Sequence, residues 1–402
     1  MRFSDFALDA RLQRAVTVAG YTAPTPIQEA AIPLGLEGHD LIGTAQTGTG
    51  KTAAFVLPVL QLLLTRPVTA RRTRALVVTP TRELAEQIHA SIRMLARHTG
   101  LRSAVVYGGV GMRPQEQALR QGIEVIVACP GRLLDHMDRG NADLSGVEAL
   151  VLDEADRMLD MGFLPSVKRI VAKLPRERQT MLFSATFAPE LEELAAKTLR
   201  SPVRVDMGTA TPAKTVSHAL YPVPQHLKTA LLLKLLGETD AGSVLIFART
   251  KHRADRVARQ VRQAGYTAAI IHSNRSQNQR QQALDGFRQG KFPLLVATDI
   301  AARGLDVVRI SRVINYDIPD TADTYIHRIG RTGRAERNGD ALTLVSTEDS
   351  AVVRDIERTL GRPIEKKTVA GFDYSAPVPP HGGRSQPPQA RRRTRPWNRT
   401  TA

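Results

Sequence analysis

The densest chemistry in this sequence lies in eight residues, Ala45-Gln46-Thr47-Gly48-Thr49-Gly50-Lys51-Thr52. Glycines at 48 and 50 let backbone N–H groups close on an oligophosphate, and a helix opening at Lys51 adds partial positive charge. Lys51 is placed to reach β- and γ-phosphates, and the Thr52 hydroxyl to ligate Mg²⁺. A glycine-rich turn that binds nothing is the bland alternative. Where the phosphate-loop pattern G-x-x-x-x-G-K-[ST] asks for a first glycine, this chain has Ala45. About 100 residues on, Asp153-Glu154-Ala155-Asp156 ends an apolar run. Acidic residues at the carboxyl end of a parallel strand face the crevice where ligands bind. Beside a phosphate loop, Asp153 would hold Mg²⁺, and Glu154 would polarise the water that attacks the γ-phosphate. Alone, such a tetrapeptide is ordinarily a solvated helix start.

Short apolar runs alternating with amphipathic stretches must position these groups. Strands are expected at Ala75–Thr79, Ala104–Tyr107, Val125–Ala128, Ala149–Asp153 and Thr180–Phe183, with helices such as Arg82–Arg97 and Pro189–Leu199 between them. After a Gly/Thr/Ala/Pro stretch the pattern resumes at Val244–Phe247, Ala268–Ile271, Leu294–Ala297, Val313–Tyr316 and Ala341–Val345. Continuous apolar strands separated by helices predict α/β domains with parallel sheets covered on both faces. The expected division is 1–207, a linker at 208–215, a second domain at 216–365 and a tail at 366–402. The tail carries Pro387-Pro388, Arg391-Arg392-Arg393, Arg395, Trp397 and Arg399, with too few apolar residues to offset the entropy of ordering. It reads either as a solubilising appendage or as a sequence-blind nucleic-acid contact, with Trp397 stacking on a base.

Composition narrows the class. In 402 residues, 42% are apolar and the net charge is +17, which favours a polyanionic partner. One cysteine, Cys129, leaves no disulfide framework and no cysteine-rich metal site, which fits a reducing compartment. No apolar run approaches the roughly 18–20 residues a bilayer span needs. Met1-Arg2-Phe3-Ser4-Asp5 lacks a signal-peptide pattern. A cytoplasmic protein with no membrane partner is expected.

Together these residues resemble the DEAD-box RNA helicases, from Phe3 to about Arg362. Two further motifs carry the resemblance: Ala297-Thr298-Asp299-Ile300-Ala301-Ala302-Arg303-Gly304-Leu305-Asp306 and His327-Arg328-Ile329-Gly330-Arg331-Thr332-Gly333-Arg334. His272-Ser273-Asn274-Arg275-Ser276-Gln277 and the short N-terminus look most like the bacterial RhlE-type branch. The family's phosphate loops commonly begin with alanine, so Ala45 is ordinary there. The resemblance implies two tandem RecA-like domains, an adenine-reading Q motif within 1–28, and a disordered basic tail. Gly20-Tyr21-Thr22-Ala23-Pro24-Thr25-Pro26-Ile27-Gln28 matches the Q motif, with Tyr21 and Gln28 at the base. A glutamine amide offers one donor and one acceptor, complementing adenine N7 and its 6-amino group. ATP is therefore the expected nucleotide. Phe3, seventeen residues before Gly20, matches the aromatic that stacks on the base. Read by residue type alone, Phe3 is a hydrophobic staple and Gln28 a polar residue on a helix face.

By the same resemblance Arg331 and Arg334 meet the γ-phosphate, and Asp306 bonds the ribose. His327 couples ATP to RNA, and Ser184-Ala185-Thr186, including Ser184 and Thr186, links hydrolysis to RNA work. RNA contacts are expected at Thr81, Arg82, Gly109, Arg132, Thr250, Gln277, Arg280 and Thr298, on loops after strands in both domains. The family usually has threonine where Cys129 stands, and here Cys129 is expected to fill space. The implied activity is RNA-stimulated ATP hydrolysis coupled to local, non-processive unwinding, in ribosome assembly or RNA turnover, by a monomer that meets RNA, ribosomal precursors or the decay machinery. Two rivals are a DNA helicase of the same superfamily and an RNA annealer acting through the tail.

Overall fold

The computed structural model describes residues 1–45, 48–66, 71–207, 216–238, 242–302, 310–332 and 339–377. Seven strands of the first half, β1 (Leu41–Thr44), β2 (Ala75–Val78), β3 (Ser103–Val106), β4 (Val125–Ala128), β5 (Ala149–Leu152), β6 (Gln179–Ser184) and β7 (Val203–Asp206), form one sheet in the order β3-β4-β2-β5-β6-β1-β7. Every pairing in it is parallel. A second parallel sheet holds β8 (Val216–Pro222), β9 (Val244–Phe247), β10 (Ala268–Ile271), β11 (Leu294–Ala297), β12 (Arg312–Asn315), β13 (Gly339–Val345) and β14 (Glu365–Lys366). Its order is β10-β11-β9-β12-β13-β8-β14.

The strands read as unbroken apolar runs because both faces of each sheet are covered. Successive side chains point to opposite faces. In the first sheet Val77, Val127, Val151 and Phe183 join one core cluster, while Leu76, Ile126, Leu150 and Leu182 join the other. The second sheet repeats this with Ile246 and Val296 on one side and Leu245 and Leu295 on the other. Burying a leucine or valine contributes roughly 1.5–3 kcal/mol, so each short strand is fixed by two helical layers at once. Three strands were not anticipated: β7, a partly exposed polar border strand; β8; and the two-residue β14. The expected strand over Ala149–Asp153 stops at Leu152, which leaves Asp153 in the turn beyond the sheet.

The expected linker at 208–215 lies outside the described residues, as does 378–402 of the expected tail. Residues 366–377, however, are not the start of a tail. Lys367 N–H donates to Leu220 at 2.8 Å, Val369 is buried, and Phe372 meets Tyr374 edge-on at 4.8 Å. His226 Nε2 meets the Ala376 carbonyl at 2.9 Å. The apolar residues that composition discounted, Val369, Phe372 and Tyr374, pack on the second core.

Candidate active site

The cradle follows β1 directly. Ala45 N–H donates to Ser184 O at 3.0 Å, tying the loop to the end of β6. Gly48 (φ 87°) and Gly50 (φ 94°) take left-handed backbone conformations, and a Cβ on Gly50 would come within 2.5 Å of Gln28 Nε2. The helix Lys51–Thr65 then starts, almost wholly apolar and sunk in the core. Lys51 is 6% exposed, and its Nζ donates to Ala45 O at 2.8 Å, so the ammonium lies back across the loop. Thr52 beside it is half-buried. Gln46 and Thr47 lie outside the described residues.

Gln28 braces this loop from behind. It sits on the helix Pro26–Leu36, where its Oε1 accepts from Thr25 N–H (2.9 Å) and its Nε2 donates to Gly50 O (3.0 Å). Both ends of the amide proposed to read adenine are on backbone atoms. Phe3 is buried and meets Phe6 and Tyr21 edge-on, at 5.6 and 5.3 Å between ring centroids.

The acidic motif turns out of β5 opposite the cradle. Asp153 is buried, and its acidity is weakened to a pKa of about 6, first by burial and further by Glu154, with Lys51 opposing. A buried carboxylate with too little compensating charge, within reach of the Lys51 charge, suits a divalent cation. Among the described residues no three His, Cys, Asp or Glu side chains gather to hold one. Thr52 and Asp153 would therefore supply two oxygens and leave the rest to phosphate and water, as Mg²⁺ prefers.

Glu154 has φ 53° and ψ 51°, a left-handed conformation rare outside glycine. It is followed by the short helix Ala155–Asp160, from which Arg157 Nη1 donates to Glu154 Oε2 at 2.5 Å. Asp156, not singled out from sequence, bolts the motif to the loop after β6. Its Oδ2 accepts from Ala185 and Thr186 N–H (3.1 and 3.2 Å), and its own N–H donates to Ser184 Oγ (3.1 Å). Ser184 Oγ in turn donates to Thr186 O at 2.6 Å. Any shift of the acidic motif is thus carried into the Ser184–Thr186 loop.

The second sheet brings the helix Ala322–Ile329 to this crevice. Thr321 Oγ1 caps it, accepting from Thr324 N–H at 3.2 Å. Arg328 anchors it, with two bonds to Asp299 (2.6 and 2.7 Å), one to Asn315 Oδ1 (3.1 Å) and one to Asp317 O (2.6 Å). Arg331 is buried just beyond the helix end. His327 is held neutral, its pKa pushed down to about 4, chiefly by burial, then by the charge of Arg157, with Asp156 opposing. The two halves of the chain are therefore close enough here for their charges to act on one another. Asp306 and Arg334 lie outside the described residues.

The expected RNA residues divide in two. Thr81 and Thr250 are N-caps, accepting from Leu84 (3.3 Å) and Arg253 (3.2 Å) at the starts of the helices Arg82–Leu95 and Lys251–Gln263. Arg82 lies over the Gly108-Gly109 turn, where a Cβ on Gly109 (φ 81°) would fall 2.1 Å from its Nη1. Arg132, on the helix Pro130–Asp138, donates to Val110 O at 3.2 Å. Thr298 is buried at the end of β11. Gln277 and Arg280, by contrast, are in the seam between the sheets, both on Glu83: Arg280 at 2.9 Å and Gln277 Nε2 at 3.3 Å. Arg82 Nη1 reaches Gln277 Oε1 at 3.5 Å. Glu83 is thus a further site residue. Its adjacency to Arg82 was the available signal, whereas Arg157 had none. Cys129 is buried, its thiol pushed up to about 12 by desolvation, in keeping with a space-filling role.

The chain is similar to known proteins over most of its length. The family model for DEAD/DEAH box helicase matches residues 25–194, and that for the helicase conserved C-terminal domain matches 227–336. The ATP-dependent rRNA helicase RRP3 of Gibberella zeae is 43% identical over 92% of this chain and 77% of its own length. The ATP-dependent RNA helicase CshA of Listeria monocytogenes is 41% identical over 89% of this chain and 68% of its own. Dbp5 of S. cerevisiae, solved bound to RNA and ADP BeF3, superposes with a TM-score of 0.81 at 32% identity, covering 92% of this chain and 95% of that one. Other relatives are longer: the chain spans 46% of the DEAD-box ATP-dependent RNA helicase 28 of Oryza sativa and 61% of helicase 30 of Arabidopsis thaliana.

Proposed function

The chain belongs to the DEAD-box ATP-dependent RNA helicases, and on that premise we propose that it hydrolyses ATP in response to RNA and uses the cycle to open short RNA duplexes locally. One observation carries the reading. Lys51 and the Asp153–Asp156 turn come from one sheet, and His327 and Arg331 from the other, yet the two halves are joined directly, Arg280 and Gln277 of the second meeting Glu83 of the first at 2.9 and 3.3 Å. Hydrolysis then requires both halves in place. RNA lying across both halves favours the same closure, so ATP and RNA binding reinforce each other.

Lys51 and the loop N–H groups hold the phosphates, Glu154 orients the attacking water, and Arg331 with Arg334 stabilises charge on the transferred phosphoryl group. Thr52 and Asp153 hold Mg²⁺, whose contribution is to neutralise phosphate charge. Phe3, Tyr21 and Gln28 form the base side, with Gln28 leaving its brace on Gly50 or reaching adenine from it, and Asp306 takes the ribose. Ser184, Thr186 and His327 transmit the state of the site. Thr81, Arg82, Gly109, Arg132, Thr250 and Thr298 face RNA phosphates, with Gln277 and Arg280 closing the seam beneath.

The working units are 1–207 and 216–365, the second extended by the packed residues to 377. The His272–Gln277 run supports the RhlE-type branch. Among the described residues no helix is long and apolar enough to cross a membrane, and a cytoplasmic monomer acting on ribosomal precursors or on RNA under decay fits this reading. The decisive measurement is ATP turnover with and without RNA: stimulation is expected, and equal rates would sink the coupling. Matched RNA and DNA duplexes separate this from a DNA helicase, since RNA readers use the 2′-OH. The arginines of 378–402 support a second reading, in which the tail anneals strands. Truncation after Pro377 should lower RNA affinity and flatten its salt dependence while leaving ATP-dependent unwinding in place.

A further inference from the structure

Arg157 is almost fully enclosed, at 1% exposure, on a helix of only six residues. A guanidinium buried there is favourable only when its donors are used, and an apolar side chain would fill the space without that demand. Nη1 is used, on Glu154 Oε2. Nη2 is buried and has no hydrogen-bond partner among the described residues. Glu154 is in a matching position. Its backbone is turned into the left-handed region, and its carboxylate makes its one hydrogen bond among the described residues to Arg157. The direction of the proposed base is therefore set by this guanidinium.

We propose that Arg157 is a positioning residue that holds the Glu154 carboxylate through Nη1 and so sets the direction of the base. This rests on the reading of the chain as an RNA-stimulated ATPase. The role is distinct from that of Arg331, which meets the phosphate itself.

The test uses the full chain with Arg157→Gln and Arg157→Lys, each assayed for RNA-stimulated ATPase and for binding of a fluorescent ADP. Misdirecting a base by about an ångström costs on the order of 10²-fold. Arg157→Gln should therefore lose about 10- to 100-fold in kcat, with KM for ATP and ADP affinity within about twofold of wild type. Arg157→Lys, which keeps the charge without the fork, should recover part of the loss. Wild-type kcat in Arg157→Gln would overturn the proposal, as would a parallel loss of kcat, ADP affinity and melting temperature that lysine does not relieve. Should the glutamine variant not fold, the lysine variant decides: reduced kcat at unchanged KM supports the role, and wild-type kcat refutes it. Wild type showing no stimulation by RNA would be a failure of the functional reading instead.

Discussion

The two halves of the molecule are built to one plan. Renumbered from its own first strand, each sheet has the order 3-4-2-5-6-1-7. They part at the turn after the first strand. In the first sheet β1 leads through left-handed glycines into a helix that opens with Lys51. In the second, β8 leads through Pro222-Val223-Pro224 and a turn of 3-10 helix into one that opens with Lys228. Both lysines are buried, but Lys51 lies across a cradle, while Lys228 bonds Leu344 O at 3.1 Å with Asp349 at 3.6 Å, and burial depresses its pKa. Proline locks φ and removes the N–H that a phosphate would need. The turn after the second strand did not part in this way: Thr81 and Thr250 cap equivalent helices on both sides. Topology is shared; the nucleotide turn is local, and the cap turn is common to both.

The largest test of this contrast removes what each half gives to the shared crevice. Glu154→Gln from the first and Arg331→Ala from the second should each lower RNA-stimulated kcat by at least about 10³-fold, with ADP still bound. An Arg331→Ala enzyme near wild-type rate would make the second sheet a mere RNA platform. Next comes the seam. Glu83→Ala strands Arg280 and Gln277, and loss of one partner of a buried pair costs about 3 kcal/mol. Labels on the two halves should report a more open molecule by energy transfer, and ATP and RNA should lose their mutual reinforcement.

Acidification should act on the same seam more gently. His327 protonates near 6.5 when unfolded and near 4 in place. Between those values the unfolded state binds the extra proton, so this contribution is whole above about pH 6.5 and is lost as pH falls towards 4. The loss is at most about 1.4 kcal/mol per pH unit. Asp153, raised to about 6, works in the opposite sense, because the folded state then holds the proton more tightly. Melting curves of wild type against His327→Ala isolate the histidine: the gap between them should change across this window and be flat above it. The smallest effect on kcat is expected where the contrast says the second lysine is structural. Lys228→Met should leave kcat within about twofold even though it strands Asp349 and costs about 3 kcal/mol of stability.

Much of this was legible because the chemistry is written in short runs. Continuous apolar strands announced sheets covered on both sides, and the Ala45–Thr52 and Asp153–Asp156 stretches fell at strand ends as expected. What escaped depended on partners distant in sequence. Val203–Asp206 and Glu365–Lys366 are too short and polar to read as strands until β1 and β8 lie beside them. Val369, Phe372 and Tyr374 looked too sparse to fold, but they needed only a place on a core already built. Gln277 and Arg280 had the chemistry of phosphate contacts, and nothing local says that Glu83, nearly 200 residues earlier, takes their donors. Asp156 was visible as a letter of its motif, but its bonds to Ala185 and Thr186 belong to the tertiary fold.

The backbone at Glu154 has a consequence for durability. A side chain held at φ 53° costs on the order of 1–2 kcal/mol that glycine would not. Glu154→Gly would relieve that cost but leave the buried Arg157 guanidinium without its partner, at about 3 kcal/mol, so the inactive protein should melt below the active one. Selection for heat resistance alone would therefore keep the base, because the strained backbone and the buried ion pair come as one unit.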